Sequence, residues 1–285
     1  MVDITNQDKK ELLIEALSYI QSFRNKIVVI KYGGAAMVDE TLKKDFAHDI
    51  VLLQSLGLMP VIVHGGGPEV SRAMEQLGQE VTFIDGLRVT SRENLKVAEM
   101  VLSGTINKEI ISHLNMFGGK AVGLSGKDGH LIEAQKKSHE KGYDLGYVGE
   151  IKNTNPEILS VLLREGFLPV VSPIGMGENG LTYNVNADTV AAYIASALNA
   201  DKVIFLTNVD GIMEENQLLS ELTSQEVEAK IVQGVIYGGM LPKVQAALHA
   251  IHHGVKSAHI INGKDPHSVI AELFTHKGIG TKIAD

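Results

Sequence analysis

A chain of 285 residues, 44% hydrophobic and 21% charged, is long enough for one large α/β domain or two lobes. The absence of cysteine excludes disulfides and thiolate metal sites. A formal net charge of −8 disfavours general nucleic-acid binding, because phosphates would be repelled.

The expected elements alternate along the chain. Residues 8–23 carry apolar residues at helical spacing, Leu13, Ala16 or Leu17, Ile20 and Phe23, and Asn25 can end that helix. KIVVIK (26–31) reads as a buried strand, followed by GGAAM and a helix from Asp39 to about Leu56. MPVIVH (59–64) is a second strand; GGGP then opens a helix near Pro68, since proline suits a first helical turn. Helices are expected near 91–102 and 105–117, with a strand at 120–124 and short strands and turns to about 152. A helix at 156–164, strand 167–172, a helix at 187–198 and strand 202–207 come next. Helices near 223–233 and 241–253, strand 258–262 and a last helix from about Pro266 complete the pattern.

Near-continuous Val/Ile/Leu strands alternating with helices predict a mainly parallel sheet covered on both faces, an αβα sandwich. Such sheets bind ligands beyond the C-terminal ends of their strands. No apolar run approaches the roughly 18 residues of a membrane span. The charged start MVDITNQDKKELL is unlike a signal peptide, so the expected location is cytoplasmic, with no membrane partner.

Five segments carry candidate chemistry. Lys31-Tyr32-Gly33-Gly34 ends a strand in a cation and two glycines. It reads either as a phosphate cradle or as a tight turn with a solvated lysine. His64-Gly65-Gly66-Gly67-Pro68 makes an anion-binding nest before a helix N-terminus, with His64 read as structural. Asp85-Gly86-Leu87-Arg88-Val89-Thr90 offers an arginine that is either a surface residue or a carboxylate clamp. Asn184-Val185-Asn186-Ala187-Asp188 puts three capping-type residues at alternate positions where one would cap the helix. In an extended segment all three would point the same way. In Gly238-Gly239-Met240-Leu241-Pro242-Lys243 a lysine opposes a helix dipole, a conflict that an adjacent anion resolves.

Three patterns mislead. Gly175-Met176-Gly177-Glu178-Asn179-Gly180 matches GxGxxG, but Pro173 precedes it and extended LTYNV follows, against a nicotinamide oxidoreductase. The stretch around Lys127 lacks the Gly and Ser/Thr of a P-loop. His249, His252 and His253 read as a helix C-terminal cap rather than as a metal set, and no metal ligands are assigned.

Together KYGG, VHGGGP, DGLRVT, NVNAD and GGMLPKV, in this order from Lys26 onward, resemble the acetylglutamate kinases of the amino-acid kinase family. The resemblance implies a three-layer αβα sandwich with two lobes: residues 26–197 for the amino-acid substrate and 198–285 for ATP. It implies phosphorylation of N-acetyl-L-glutamate to N-acetyl-L-glutamyl 5-phosphate, the second step of arginine biosynthesis. Lys31 and Lys243 would stabilise the transferred phosphoryl group and Asp188 would orient them. Gly65, Gly66, Arg88, Asn184 and Asn186 would hold the substrate. Gly33, Gly34, Thr207, Val209, Asp210, Gly239 and Met240 would hold the nucleotide, with Mg²⁺ bound mainly by ATP phosphates. Asn208 stands where the family often has Asp, and Ala35 where many members have a polar residue.

The helix in residues 1–25 precedes the kinase motifs. In arginine-inhibited relatives such a helix interlaces dimers into a hexameric ring, a trimer of dimers. Tyr19, His267, Glu272 and Gly278 match the positions that bind arginine there, and a PII-type partner is compatible with such a ring. The alternative is a helix packed on its own subunit. Other activities weighed are a kinase for a carrier-linked aminoadipate, an aspartokinase and a non-catalytic amino-acid sensor. Retention of both lysines argues against the sensor.

Overall fold

In the computed structural model, which describes residues 5–275 and 278–285, the N-terminal helical pattern forms α1 (Asn6–Phe23). Side chains at 8, 9, 11–13, 15, 16, 18, 19 and 35 lie outside that description, Leu13 and Ala16 of the expected apolar stripe among them. Phe23 meets Phe274 edge-on at 5.8 Å, whereas Ile14 and Leu17 are 65% and 56% exposed. Only the C-terminal end of the stripe is therefore seen to pack on its own subunit.

KIVVIK becomes β1 (Ile27–Tyr32), buried from Val28 onward as a strand covered on both faces must be. Asp39 caps α2 (Glu40–Ser55), accepting from the Thr41 and Leu42 amides at 2.8 and 3.0 Å. Next come β2 (Met59–His64), α3 (Gly67–Gln76) and a short hairpin of β3 (Phe83–Ile84) and β4 (Leu87–Arg88). The two helices expected near 91–102 and 105–117 are one continuous unit. α4 (Arg92–Glu99) runs through a π-helical stretch, Met100–Ile106, into α5 (Asn107–Met116). Gly104 does not break it, because a wider turn keeps the backbone hydrogen bonds.

β5 (Ala121–Ser125), β6 (Ile132–Lys136), β7 (Val148–Thr154), α6 (Glu157–Arg164) and β8 (Leu168–Ser172) follow. Then come β9 (Ile174–Met176), β10 (Thr182–Val185), α7 (Ala187–Ala197) and β11 (Lys202–Thr207). β12 (Met213–Glu214), β13 (Gln217–Leu218) and β14 (Glu221–Leu222) precede α8 (Ser224–Val232), which Thr223 and Glu226 close with a capping box. α9 (Leu241–His252), β15 (Ser257–Asn262), α10 (Ser268–Phe274) and β16 (Thr281–Ile283) end the order.

One eight-stranded sheet runs β14-β16-β15-β11-β1-β2-β8-β5. Its pairs are parallel except β15 with β16. α7 and α9 bury one face against Val29, Val63 and Phe205; α2, α5 and α10 bury the other against Val28, Ile30 and Ile62. This is the expected three-layer αβα sandwich. β6, β7, β10 and β9 close on one another as a small barrel. The GxGxxG stretch joins β9 to β10 as an antiparallel hairpin, where a Cβ on Gly177 would lie 2.5 Å from the Tyr183 ring. Its glycine serves packing.

His249 stacks between Tyr193 and His253 at 4.0 Å each, and the His253 Nδ1–H donates to the His249 carbonyl. Burial, with His253 and His252 nearby, lowers the His249 pKa to about 4. No helix among the described residues is long and apolar enough to cross a membrane.

Candidate active site

β1 lies between β2 and β11, and the helices that follow β1 and β11 pack on opposite faces of the sheet, which leaves a crevice at its C-terminal edge. Lys31, next to last in β1, is 8% exposed and faces this crevice. Its Nζ lies 3.1 Å from Asp188 Oδ1. The Lys243 Nζ donates to Asp188 Oδ2, also at 3.1 Å. Three residues from distant segments thus meet on one carboxylate. The Lys31 contact is an ion pair rather than a well-angled hydrogen bond, so Oδ1 keeps accepting capacity.

Asp188 sits in the first turn of α7, where the helix dipole favours an anion. Lys243 sits in the first turn of α9, where the dipole opposes it, and Asp188 is the anion that answers the conflict. Asp188 is 4% exposed; burial pushes its carboxyl up, but Lys31 and Lys243 hold it below the usual carboxylate range. One negative and two positive charges leave the cluster with a surplus positive charge, as needed to receive an anion.

The glycines beside it leave room for neighbouring side chains. A Cβ on Gly33 would lie 2.6 Å from Lys31 Nζ. Gly34, at φ +71°, would place one 2.4 Å from Asn208 Oδ1, so the turns after β1 and β11 are in contact. Thr207 ends β11, its hydroxyl accepting from the Val209 amide at 3.1 Å and donating to the Val209 carbonyl at 2.9 Å. Asp210 accepts from Asn262 Nδ2 at 2.7 Å. Gly239 and Met240 lie in the 3-10 turn that feeds α9. Of the residues assigned to nucleotide, Gly33 and Gly34 thus follow β1, Thr207, Val209 and Asp210 end or follow β11, and Gly239 and Met240 precede α9.

A cavity of about 190 Å³ opens on the β2 side. Gly65, Gly66, Arg88, Asn184 and Asn186, the residues assigned to substrate, all line it. Gly65 joins it to the lysines, since a Cβ there would touch Lys31 Cε at 4.0 Å. Arg88 is buried, donating from Nη2 to the Gly67 carbonyl at 2.9 Å and to Ser71 Oγ at 2.7 Å, with its guanidinium 4.7 Å from the Phe83 ring centre. Burial lowers its pKa, yet a guanidinium remains cationic at neutral pH. With Nη1 also donating to Met74 Sδ at 3.6 Å, three of its five donors are used in fixing the hairpin to α3, which presents the group to the cavity ready-oriented.

The alternation expected over 184–188 stops at the helix. Asn184 belongs to β10, and Asn186 is the N-cap, its Oδ1 accepting from the Thr189 amide at 3.0 Å. Asp188 lies past the cap, so helical geometry turns it to the lysines while both asparagines line the cavity.

His64, read from the sequence as structural, has a partner that the sequence did not show. His64 is fully buried; its Nδ1–H donates to the Gly65 carbonyl at 2.8 Å, and Nε2 accepts from Asn107 Nδ2 at 3.2 Å. Burial lowers its pKa to about 4, so it stays neutral and anchors the glycine turn. Asn107, in a helical run far along the chain, carried no signal.

The residues assigned to arginine lie around α10. Tyr19 is on α1 and its side chain is outside the described residues. Glu272 is buried, meets His259 Nδ1 at 2.5 Å and accepts from the Ile279 amide at 2.7 Å. Gly278, at φ +62°, lies against Glu272: a Cβ there would be 2.6 Å from Oε2. His267, the left-handed N-cap of α10, pairs instead with Asp49 at 2.7 Å. Glu272 and Gly278 are therefore together, with His267 at the opposite end of α10. Among the described residues no group of three or more His, Asp or Glu side chains is arranged to hold a metal.

Residues 26–262 match the model of the amino acid kinase family. The chain is 54% identical over 288 aligned positions to the acetylglutamate kinase of Methanocaldococcus jannaschii, covering 97% of this chain and 96% of that protein. It is 50% identical to the acetylglutamate kinase of Acinetobacter baumannii, covering 98% and 95%. Among solved structures it superposes on N-acetylglutamate synthase from Neisseria gonorrhoeae, in complex with coenzyme A and N-acetyl-glutamate, with a TM-score of 0.87 at 28% identity. That match covers 97% of this chain but 63% of the longer synthase. Carbamate kinase from Giardia lamblia, at 19% identity and a TM-score of 0.68 over 92% of this chain and 99% of that one, shares the fold. The converging lysines, the glycine turns and these matches lead to one conclusion: this chain belongs to the amino acid kinase family.

Proposed function

We propose that the chain is an acetylglutamate kinase, transferring the γ-phosphoryl group of ATP to the side-chain carboxylate of N-acetyl-L-glutamate. The products are N-acetyl-L-glutamyl 5-phosphate and ADP, in the second step of arginine biosynthesis. The observation that carries this reading is the Lys31–Asp188–Lys243 cluster beside a cavity walled by Arg88 and two asparagines.

A carboxylate with a pKa of about 4 is already ionised at neutral pH, so its oxygen attacks the γ-phosphorus without a general base. The bond from that phosphorus to the bridging oxygen breaks, and ADP leaves with the electron pair. The barrier is the approach of two anions, and catalysis is positioning plus electrostatic stabilisation. Lys31 and Lys243 neutralise the equatorial oxygens of the moving phosphoryl group, and Asp188 keeps both ammonium groups on one point. Gly65 and Gly66 present backbone amides, Arg88 pairs with a substrate carboxylate, and Asn184 and Asn186 hydrogen-bond the rest. Gly33, Gly34, Thr207, Val209, Asp210, Gly239 and Met240 cradle the nucleotide. The site offers few hard oxygen donors, so Mg²⁺ would be held mainly by the nucleotide phosphates and would screen their charge.

A coupled assay following ADP release tests the reading. N-acetylglutamate supports turnover and glutamate or a longer dicarboxylate does not; no turnover with N-acetylglutamate overturns it. Arg88→Ala should raise KM for N-acetylglutamate by about 10- to 100-fold, the loss of one charge-assisted pair, with a smaller change in kcat. Arg88→Lys should keep the hairpin folded without restoring KM, because an ammonium cannot pair bidentately.

The lobes divide as 26–197 for the amino acid and 198–285 for ATP, with residues 1–25 as an oligomerisation helix. The exposed Ile14 and Leu17 on α1 support that last role, because exposed apolar side chains on one helix favour association into dimers and a hexameric trimer of dimers. L-Arginine acts as the feedback inhibitor through Tyr19, His267, Glu272 and Gly278. The Neisseria synthase, 27% identical over 96% of this chain and 65% of its own, was also solved with L-arginine, which supports this assignment. Arginine should lower the rate at fixed N-acetylglutamate. An unchanged rate from a protein that is only dimeric would overturn both claims. A PII-type protein is a compatible partner of the ring, and the location is cytoplasmic.

A further inference from the structure

Behind the glycine turns lies a second cavity of about 440 Å³, more than twice the substrate pocket and within the usual range for ligand sites. It opens between α2, α3 and the continuous helix 92–116. Phe46, Val101, Ile106 and Ile110 give it an apolar lining. Of its charged groups, Lys43 and Glu109 already pair at 2.6 Å. Glu69 does not: its Oε2 is shielded from solvent and has no hydrogen-bond partner among the described residues. A shielded carboxylate oxygen with no donor is costly, and a ligand N–H would remove that cost. Arg72 also lines the cavity but is exposed, so the inner position belongs to Glu69.

The wall of this cavity is shared with the substrate pocket. Ile106 lines the second cavity and is the atom group that a Cβ on Gly66 would strike, at 2.2 Å. In α3, Glu69 and Ala73 line the second cavity and Val70 the first. In the π-helical stretch Val101 lines the second and its neighbour Leu102 the first. π-Helical turns are rare and concentrate at functional sites.

We infer that this cavity is a binding site for a small amphipathic amine, a primary ammonium on a short alkyl or aryl chain, with Glu69 as its counter-charge. Occupancy acts on the substrate pocket through Ile106 and α3. The binding claim is independent of the kinase reading; the coupling claim rests on it.

Calorimetric titration of the full chain with pentylamine, with 1-pentanol and pentanoate as controls of matched length, tests the site. Pentylamine should bind saturably and about ten-fold or more tightly than either control. Glu69→Gln should remove that advantage while leaving the thermal midpoint close to wild type. Ala73→Leu, which fills part of the space, should weaken binding independently of charge. Equal affinity for the amine and the alcohol, an unaffected Glu69→Gln variant, or no saturable binding would each overturn the site. Saturating pentylamine should shift KM for N-acetylglutamate about two-fold or more in wild type and not in Glu69→Gln; an unmoved KM would overturn the coupling alone. Heats of binding need no turnover, so failure here is distinguishable from failure of the proposed activity.

Discussion

Lys31→Ala and Lys243→Ala should each lower kcat by about 10²- to 10³-fold, the usual loss when one preorganised donor to a transition state is removed. The magnitude follows from placement. Both ammonium groups are fixed 3.1 Å from one buried carboxylate before substrate arrives, so neither reorganises during transfer. The fold should survive either change, because Asp188 keeps the other lysine as partner. Circular dichroism and thermal midpoints close to wild type would show this. KM for N-acetylglutamate should move less than kcat, since the lysines act on charge that develops in transfer. The double variant should lose little more activity than the worse single one, because groups acting on one charge are non-additive. Wild-type turnover in either single variant would remove the lysines from their role.

Asp188→Ala should damage both activity and stability. Without the shared carboxylate, two ammonium groups face each other in a shielded crevice, so they separate or one loses its proton. A fall in kcat of about 10²-fold or more is expected. Breaking a buried ion pair from one side destabilises by about 3–5 kcal/mol, and here two cations lose their partner. Asp188→Asn should recover part of the stability through its amide oxygen but little of the activity, because the charge is gone.

The pH dependence of stability separates two buried groups. Asp188 has a folded pKa below its unfolded value, so its contribution is complete above about pH 4 and is lost as pH falls through the folded pKa. His64 is also depressed, to about 4, because burial favours the neutral ring. The unfolded chain therefore takes up the His64 proton first, and stability begins to decline below about pH 6.5. In urea titrations the Asp188→Ala variant should match the wild-type slope between pH 6.5 and 4.5 and lack the further loss at lower pH. An identical acid limb in both proteins would refute the ion-pair assignment.

Much of the architecture was legible because its signals are local. Runs such as KIVVIK and MPVIVH cannot satisfy a water-exposed surface, so they read as strands covered on both faces. Asp39 and Thr223 precede helices because their side chains satisfy the first free amides. Gly33, Gly34, Gly65 and Gly66 stood out because consecutive glycines cost entropy that only a special backbone path returns. Lys243 was conspicuous as a cation at the wrong end of a helix dipole. In each case the physical cause lies within a few residues.

Where side chains meet was decided by the tertiary structure. That Lys31 and Lys243 share Asp188 depends on β1, α7 and α9 converging, which no spacing encodes. The extended reading of 184–188 failed at its last member because Asn186 caps a helix, and beyond a cap the side-chain period is 3.6 rather than 2. The antiparallel β16 and the closure of the short strands into a barrel were missed, because β6, β9, β10 and β16 have three to five residues, too few to show a period, and closure through the longer β7 depends on pairing between distant segments. The contact of His64 with Asn107, and the cavity beside Glu69, are likewise products of packing. The sequence by itself determined which segments are strands, helices and glycine turns, since hydrophobic period and backbone freedom act over a few residues. Only the folded chain determined which charges face one another, since that depends on contacts between segments far apart in sequence.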